Sequence, residues 1–180
     1  TGTGKAAKNN IVVGSVTSAD AMTSYSSFGP ANDGRVKPEI CAVGDAVYST
    51  YLPVNTYSTI SGTSMATPGV AGTLTLLAQR YKQLNSNVLP PSSLIKNIAC
   101  NTAEDLGNPG PDYRFGFGRI NALSAVKILE QNRYAIASMA TGGSSDITIN
   151  IPGGTARLRV MLTWNDPAGA ANVALPLVNN

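Results

Sequence analysis

Apolar residues in this chain follow a helical period in some stretches and form a continuous run in another. Positions 65–81 carry apolar side chains at helical spacing, which predicts a core-facing amphipathic helix. The same spacing predicts a short helix over 94–98, after two prolines, and another over 119–130. The continuous apolar run at 11–16 instead predicts a strand that is buried on both faces of a parallel sheet.

Beyond residue 131 the apolar pattern changes from a helical period to a period of two. Segments 147–151 and 158–164 alternate apolar with polar residues, and Gly153-Gly154 lies between them. This arrangement predicts an antiparallel hairpin. It also indicates that a second, all-β unit begins there.

The clearest candidate chemistry lies where the longest predicted helix starts, in the stretch 61–68 (Ser-Gly-Thr-Ser-Met-Ala-Thr-Pro). Gly62 permits a close backbone approach, and we expect the helix to begin at or near Ser64 with Pro68 in its first turn. A serine there lies beside N–H groups that lack helical partners, and helix N-termini favour anions. Ser64 therefore suits a nucleophile, although a serine before a helix is more often only an N-cap.

The sequence contains no histidine. Serine enzymes that transfer acyl groups need a base for the serine Oγ, and that base is usually histidine. An intact α/β-hydrolase is excluded, because its histidine follows its serine and its G-x-S-x-G motif is absent here. These 180 residues therefore hold no ordinary catalytic triad.

The stretch from Gly62 to Pro68 resembles the nucleophile motif of the subtilisin-like serine proteases (subtilases), Gly-Thr-Ser-Met-Ala-x-Pro. Residues 26–44 are similar to the family's S-x-x-G-P and K-P-x-[IV]-x-A-x-G motifs, and residues 116–126 to its closing helix. The resemblance implies that Ser64 attacks a peptide carbonyl and that its own N–H donates to the oxyanion. It also implies that Thr63 supports this oxyanion hole.

The order of the catalytic residues in the family is Asp, His, Ser. The resemblance thus implies that the aspartate, the histidine and an oxyanion-binding asparagine precede Thr1. We expect a fragment of a secreted, cell-envelope or periplasmic serine endopeptidase, inactive as an isolated chain. An inactive subtilase-like pseudoenzyme that serves as a binding module, and an assembly module, are the alternatives.

The resemblance also implies the fold and its division. Residues 1–131 correspond to the C-terminal part of a subtilisin-like α/β domain with a parallel sheet. Residues 132–180 are similar to the start of the all-β C-terminal domain (sandwich or barrel) of alkaline subtilases, with a V-x-L-x-W-x-D-P stretch at 160–167. The stretch Leu177-Val178-Asn179-Asn180 resembles a later part of that domain, which we expect to be truncated there.

Composition limits the partners. A net charge of +3 with only 13% charged residues gives little support to nucleic-acid binding. No apolar run is long enough to span a membrane, and no signal peptide is visible. We expect a polypeptide substrate for the parent protein. The chain itself is expected to pair with a missing N-terminal half, or with a second copy through strand edges exposed around Val12.

Two pairs of charged or polar residues allow a chemical interpretation beside a structural one. Lys37 and Glu39 could form an ion pair near a site, but we expect them to be solvated at a proline-marked edge. Ser93 and Lys96 match the S-x-x-K pattern of β-lactamase-type enzymes. The companion motifs are missing, so we expect an ordinary surface serine and lysine.

No cofactor is expected to take part in the chemistry. Glu104 and Asp105 could be calcium ligands, but no D-x-D-x-D-G pattern surrounds them and we expect a solvated loop. A structural calcium ion in the parent protein is compatible with the resemblance, but no residue here is assigned to it.

The two cysteines and the N-terminal glycines carry weaker signals. Cys41 and Cys100 lie in apolar contexts, so buried free thiols are favoured over a disulfide. The stretch Thr1-Gly2-Thr3-Gly4-Lys5 lacks the Ser or Thr that follows the lysine of a phosphate-binding loop. A nucleotide site there is not favoured.

Overall fold

The computed structural model describes residues 7–140, 142–170 and 177–178 of the chain. Two pairs of strands come first and three helices follow. In chain order, the elements of the described part are β1 (Val13–Val16), β2 (Ile40–Val43), β3 (Val47–Tyr51), β4 (Thr56–Ile60), α1 (Thr63–Leu84), α2 (Ser92–Asn101) and α3 (Ala122–Glu130). The glycine-rich start at 1–5 and the final Asn179-Asn180 lie outside the described residues.

Strands β1 and β2 form a parallel pair, with Val13 opposite Ile40 and Val16 opposite Val43. Most of their side chains are buried, because helices cover the pair. The strand predicted at 11–16 and its parallel pairing are therefore confirmed.

On the side of β1 that faces β2, the backbone of Val12 is bonded within the chain. The N–H of Val12 donates to Glu39 Oε2 at 2.8 Å, and its C=O accepts from the N–H of Glu39 at 3.0 Å. On the far side of β2, Cys41 N donates to Gly118 O at 2.8 Å. On the other side of β1, the C=O of Ser15 accepts from the N–H of Thr23 at 3.1 Å, and the N–H of Ser15 donates to Ser26 Oγ at 3.0 Å. Pairing with another chain through strand edges around Val12 stays a prediction.

Helix α1 packs on the parallel pair and also contacts α2 and α3. Ala66 and Val70 lie against Ile40 and Ala42 of β2 in one apolar cluster. Farther along α1, a second cluster joins the three helices; its buried members are Leu77, Tyr81, Leu94, Ile98, Ala125 and Leu129. These are positions of the predicted apolar faces, so the helical predictions are confirmed.

The predicted hairpin at 147–151 and 158–164 is wrong: neither segment forms a strand in the structure. Segment 159–166 instead runs along α2, where Asn97 Nδ2 donates to the C=O of Met161 at 2.7 Å and Thr163 Oγ1 donates to the C=O of Ser93 at 3.0 Å. A two-stranded hairpin without a further sheet or helix on its apolar face is marginally stable. Contacts with α2 replace that pairing for the second segment.

The prediction that Lys37 and Glu39 are solvated is also wrong. Their exposed fractions are 2% and 4%, and Lys37 Nζ forms an ion pair with Glu39 Oε1. Lys96 of α2 donates to the same carboxylate oxygen at 2.8 Å. Buried charges need partners of this kind, and the Lys96 partner lies 57 positions away in the chain, out of reach of local patterns.

Candidate active site

The carboxyl ends of β1 and β2 and the N-terminus of α1 meet at Gly44 and Gly62. The N–H of Gly62 donates to the C=O of Gly44 at 2.8 Å. A Cβ on Gly44 would lie 2.5 Å from Gly62 O and 3.0 Å from the Cβ of Ala66. A glycine at 44 therefore allows the helix to start directly against the strand end, where ligands bind in open α/β sheets.

The antiparallel hairpin of β3 and β4 connects these two glycines. Its register runs from Val47 opposite Ile60 to Tyr51 opposite Thr56. Tyr48 and Tyr57 stack across it with their ring centroids 5.6 Å apart. The hairpin returns the chain to the end of β2, and Ser61 and the N-cap Gly62 then lead into α1.

Ser64 is the second residue of α1, and its side chain is exposed. Gly62 is the N-cap, and no side chain caps the helix. Among the described residues, the N–H groups of Thr63 and Ser64 have no acceptor. The first turn therefore presents a hydroxyl beside unpaired donors, as the sequence predicted for an anion-stabilising position.

Helix α1 begins at Thr63, next to the predicted start at Ser64, and Pro68 lies in its second turn and not in its first. Pro68 is the sixth residue of α1, inside the helix, where a proline removes an N–H that would otherwise bond to the residue four positions earlier. That residue is Ser64, whose C=O receives no N–H from position 68. The helix therefore lacks one backbone hydrogen bond at Ser64.

Thr63 and Ser64 lie together at this turn, but no base accompanies them in the described part of the chain. The Oγ of Ser64 lies 3.5 Å from the thioether sulfur of Met65, which is a weak acceptor. Thr63 is half-buried, and its C=O accepts from Thr67 Oγ1 at 2.9 Å. The geometry provides an exposed hydroxyl beside unbonded N–H groups, with no proton acceptor for that hydroxyl among the described side chains.

A polar network beside the turn was missed by sequence reasoning. The hydroxyl of Tyr25 donates to Gly44 O at 3.1 Å, and Ser61 Oγ donates to Asp45 Oδ1 at 2.9 Å. Ser61 Oγ also accepts from the N–H of Ala46 at 2.8 Å. Gly44 and Ser61 lie in recognised motifs, but nothing in the local sequence signals that Tyr25 reaches them.

Lys96 is not placed as a base for Ser93. Its ammonium donates to Glu39 Oε1 and to the C=O of Asn10 at 3.0 Å, so it serves the buried ion cluster. The sequence had suggested an ordinary surface lysine, and that prediction is wrong for Lys96. The S-x-x-K spacing reflects the amphipathic face of α2.

Glu104 and Asp105 have partners within the protein. Glu104 pairs with Arg119, whose hydrogen bond and charge hold the pKa of that carboxyl below its usual range. Asp105 Oδ2 accepts from the N–H of Gly110 at 2.8 Å. In the described ranges, no group of three or more acidic, histidine or cysteine side chains could hold a metal ion.

Both cysteines are buried free thiols, as the sequence favoured. Burial raises the pKa of each thiol to about 12. Such thiols are poor nucleophiles at neutral pH, so neither cysteine is a candidate reactive group.

Residues 1–118 match the model of the Subtilase family of peptidases. Subtilisin DY of Bacillus licheniformis is 38% identical over 117 residues, which cover 65% of this chain and 37% of that protein. Thermitase of Thermoactinomyces vulgaris is 37% identical over 119 residues, which cover 66% of this chain and 37% of that protein.

Among solved structures, a lanthipeptide protease aligns with a TM-score of 0.58 at 27% identity. The alignment covers 66% of this chain and 41% of that chain. In each of these comparisons the chain spans less than half the length of the relative.

Proposed function

Because the chain belongs to the subtilase family, we propose that Ser64 is the nucleophile of a serine endopeptidase that cleaves polypeptides. The observation that carries this proposal is the exposed Ser64 hydroxyl in the first turn of α1, beside N–H groups without acceptors among the described residues. The turn lies at the carboxyl ends of the parallel strands, where a substrate can reach it.

The proposed reaction begins with attack of Ser64 Oγ on a peptide carbonyl carbon. The C–O bond forms as the serine proton passes to a base, and the carbonyl oxygen becomes an oxyanion. The N–H of Ser64 donates to that oxyanion, and Thr63 supports the same hole. The amine then leaves with a proton from the conjugate acid of the base, and water releases the acyl group.

The base has to come from outside these 180 residues, which contain no histidine. We propose that a histidine, its orienting aspartate and an oxyanion-binding asparagine belong to other residues of the same protein. The isolated chain is then inactive, because the proton of Ser64 has no acceptor of suitable strength. The remainder of the peptidase is the partner that this proposal requires.

This chemistry needs no metal ion or redox cofactor, because the nucleophile, the base and the oxyanion donors are all protein groups. A structural calcium ion elsewhere in the complete protein is compatible with the proposal. We further propose a secreted or cell-envelope location. No helix in the described ranges is both long and apolar enough to cross a membrane.

An inactive subtilase-like binding module is the second candidate, and the lack of histidine in the sequence favours it. In that case the turn at Ser64 would serve only as the structural start of α1. The two candidates differ in whether the complete protein, with all its residues, uses Ser64 chemically.

Peptide hydrolysis by the protein at its natural full length tests the proposal. We expect Ser64→Ala to reduce kcat by on the order of 10⁶-fold, the scale seen when a related protease loses its nucleophile. Ser93→Ala is the matched control, since Ser93 is the other serine with a catalytic interpretation, and it should retain wild-type activity. Undiminished hydrolysis by the Ser64→Ala protein would leave the binding module as the better account.

A further inference from the structure

Half of the described lysine and arginine side chains have a carboxylate partner. Ion pairs occupy Lys8, Arg35, Lys37, Arg80, Lys96 and Arg119. The other described cations form no ion pair with a described carboxylate; they are Lys82, Arg114, Lys127, Arg133, Arg157 and Arg159.

Four of these unpaired cations line one cleft of about 510 Å³. Lys127 belongs to α3, Arg133 follows α3, and Arg157 and Arg159 come from the segment that leads along α2. The remaining lining residues are Asn101, Thr102, Ser124, Ile128 and Gln131. No carboxylate is among the described residues that line the cleft.

The ends of two helices offset part of this charge. Helix α2 ends at Asn101 and α3 ends at Glu130, so both C-termini lie at the cleft or next to it. Arg159 donates to the C=O of Asn101 at 3.4 Å and of Ala103 at 3.0 Å. Each helix C-terminus is equivalent to about half a negative charge, so the two offset roughly one of four positive charges.

After the two helix C-termini are taken into account, roughly three positive charges remain, and they indicate an anionic ligand. Neighbouring like charges repel, and a bound anion would remove that repulsion. Guanidinium groups bind phosphate and carboxylate oxygens through two parallel hydrogen bonds, and Ser124, Asn101 and Gln131 can add neutral donors.

We propose that this cleft binds a multiply charged oxyanion of the phosphate or sulfate class. The cleft has the volume of a small-molecule site, and Ile128 is the one large apolar side chain among its described lining residues. Four cationic side chains with so few apolar anchors favour a compact, strongly charged ligand over an apolar peptide. The cleft shares no residue with the turn at Ser64, so the two proposals are independent.

Titration of pyrophosphate into the 180-residue chain by calorimetry in dilute buffer tests the proposal. We expect one saturable site per chain, with affinity that falls as salt is added because the contacts are ionic. The double variant Lys127→Gln/Arg157→Gln should bind about tenfold more weakly, since it loses two charge-assisted contacts.

The matched control is Lys82→Gln/Arg114→Gln, which removes the two cations outside the cleft that form no ion pair in the described part of the chain and changes the net charge equally. It should keep its affinity within about twofold. Equal weakening in both double variants would show general attraction to a basic chain and overturn the proposal, as would the absence of saturable binding. Tighter binding of hexaglutamate than of pyrophosphate at the same cleft would replace the oxyanion with an acidic peptide.

Discussion

At the residue scale, the buried carboxylate of Glu39 holds three parts of the protein together. It forms an ion pair with Lys37, which like Glu39 lies just before β2. It also accepts hydrogen bonds from Lys96 of α2 and from the N–H of Val12, just before β1. Desolvation lowers the pKa of Lys37, and the hydrogen bond and charge of Glu39 oppose that effect. The carboxylate is therefore what keeps a lysine ammonium stable in a buried position.

Glu39→Gln should lower the free energy of unfolding by about 3–5 kcal/mol, because it leaves buried ammonium groups without a counter-charge. Glu130→Gln is the control, since Glu130 pairs with Arg80 at an exposed position, and it should cost less than about 1 kcal/mol. Urea unfolding measures both variants. Equal losses would contradict the role assigned to the buried cluster.

The stability of the Glu39→Gln variant relative to wild type should also depend on pH. The pKa of folded Lys37 lies below its ordinary value of 10.5, so between the two values the unfolded chain binds more protons than the folded chain. Stability due to this group therefore rises with pH across that window. Without Glu39 the pKa of folded Lys37 falls further, so the pH window over which stability rises becomes wider. The difference in stability between wild type and Glu39→Gln should therefore narrow as pH is raised towards 10.5.

The two thiols make a separate prediction. With each pKa raised to about 12 by burial, only about one thiol in 10⁴ is ionised at pH 8. We expect no reaction of Cys41 or Cys100 with a disulfide reagent in the native protein and reaction of both in denaturant. Rapid modification of either thiol in the native state would show that its burial is wrongly assigned.

At the scale of elements, the start of α1 depends on how closely it approaches the end of β2. The contact is made at Gly44, where any side chain would meet Gly62 O and Ser15 Oγ at 2.5 Å. The backbone oxygen cannot move aside as a flexible side chain can. Gly44 thus determines where the turn that carries Ser64 lies relative to the sheet.

Gly44→Ala should destabilise the protein by about 1–3 kcal/mol, the usual cost of forcing extra volume into a tight contact. Gly72→Ala should have the opposite sign and stabilise by about 0.4–1 kcal/mol, because Gly72 lies within α1 and nothing lies within 4 Å of its added Cβ. Thermal unfolding of the two variants measures this difference. A neutral Gly44→Ala substitution would disprove the close approach.

At the scale of the whole molecule, the sequence predicted the elements better than the contacts between them. The helical period at 65–81 and the apolar run at 11–16 depend on local spacing, which is why α1 and β1 could be foreseen. The hairpin prediction for 147–164 failed because a period of two shows only that a segment is able to form a strand. A stable hairpin also needs a sheet or helix against its apolar face.

The candidate site was predictable to the same extent. The motif at 62–68 led to Ser64 and Thr63, whose roles remain predictions. The burial of Glu39 depends on Lys96, and the contact of Tyr25 with Gly44 depends on how loops return to the sheet. Contacts between distant positions leave no trace in the spacing of nearby residues, so these contacts required the structure.

The central claim is that Ser64 is a true nucleophile which lacks its base in this chain. Labelling with a fluorophosphonate, mapped by mass spectrometry, tests it most directly. We predict that the isolated 180-residue chain is not labelled, that the protein at its natural full length is labelled on Ser64, and that Ser64→Ala abolishes the label. Labelling of Ser64 in the isolated chain, or no labelling of the folded full-length protein, would contradict the account.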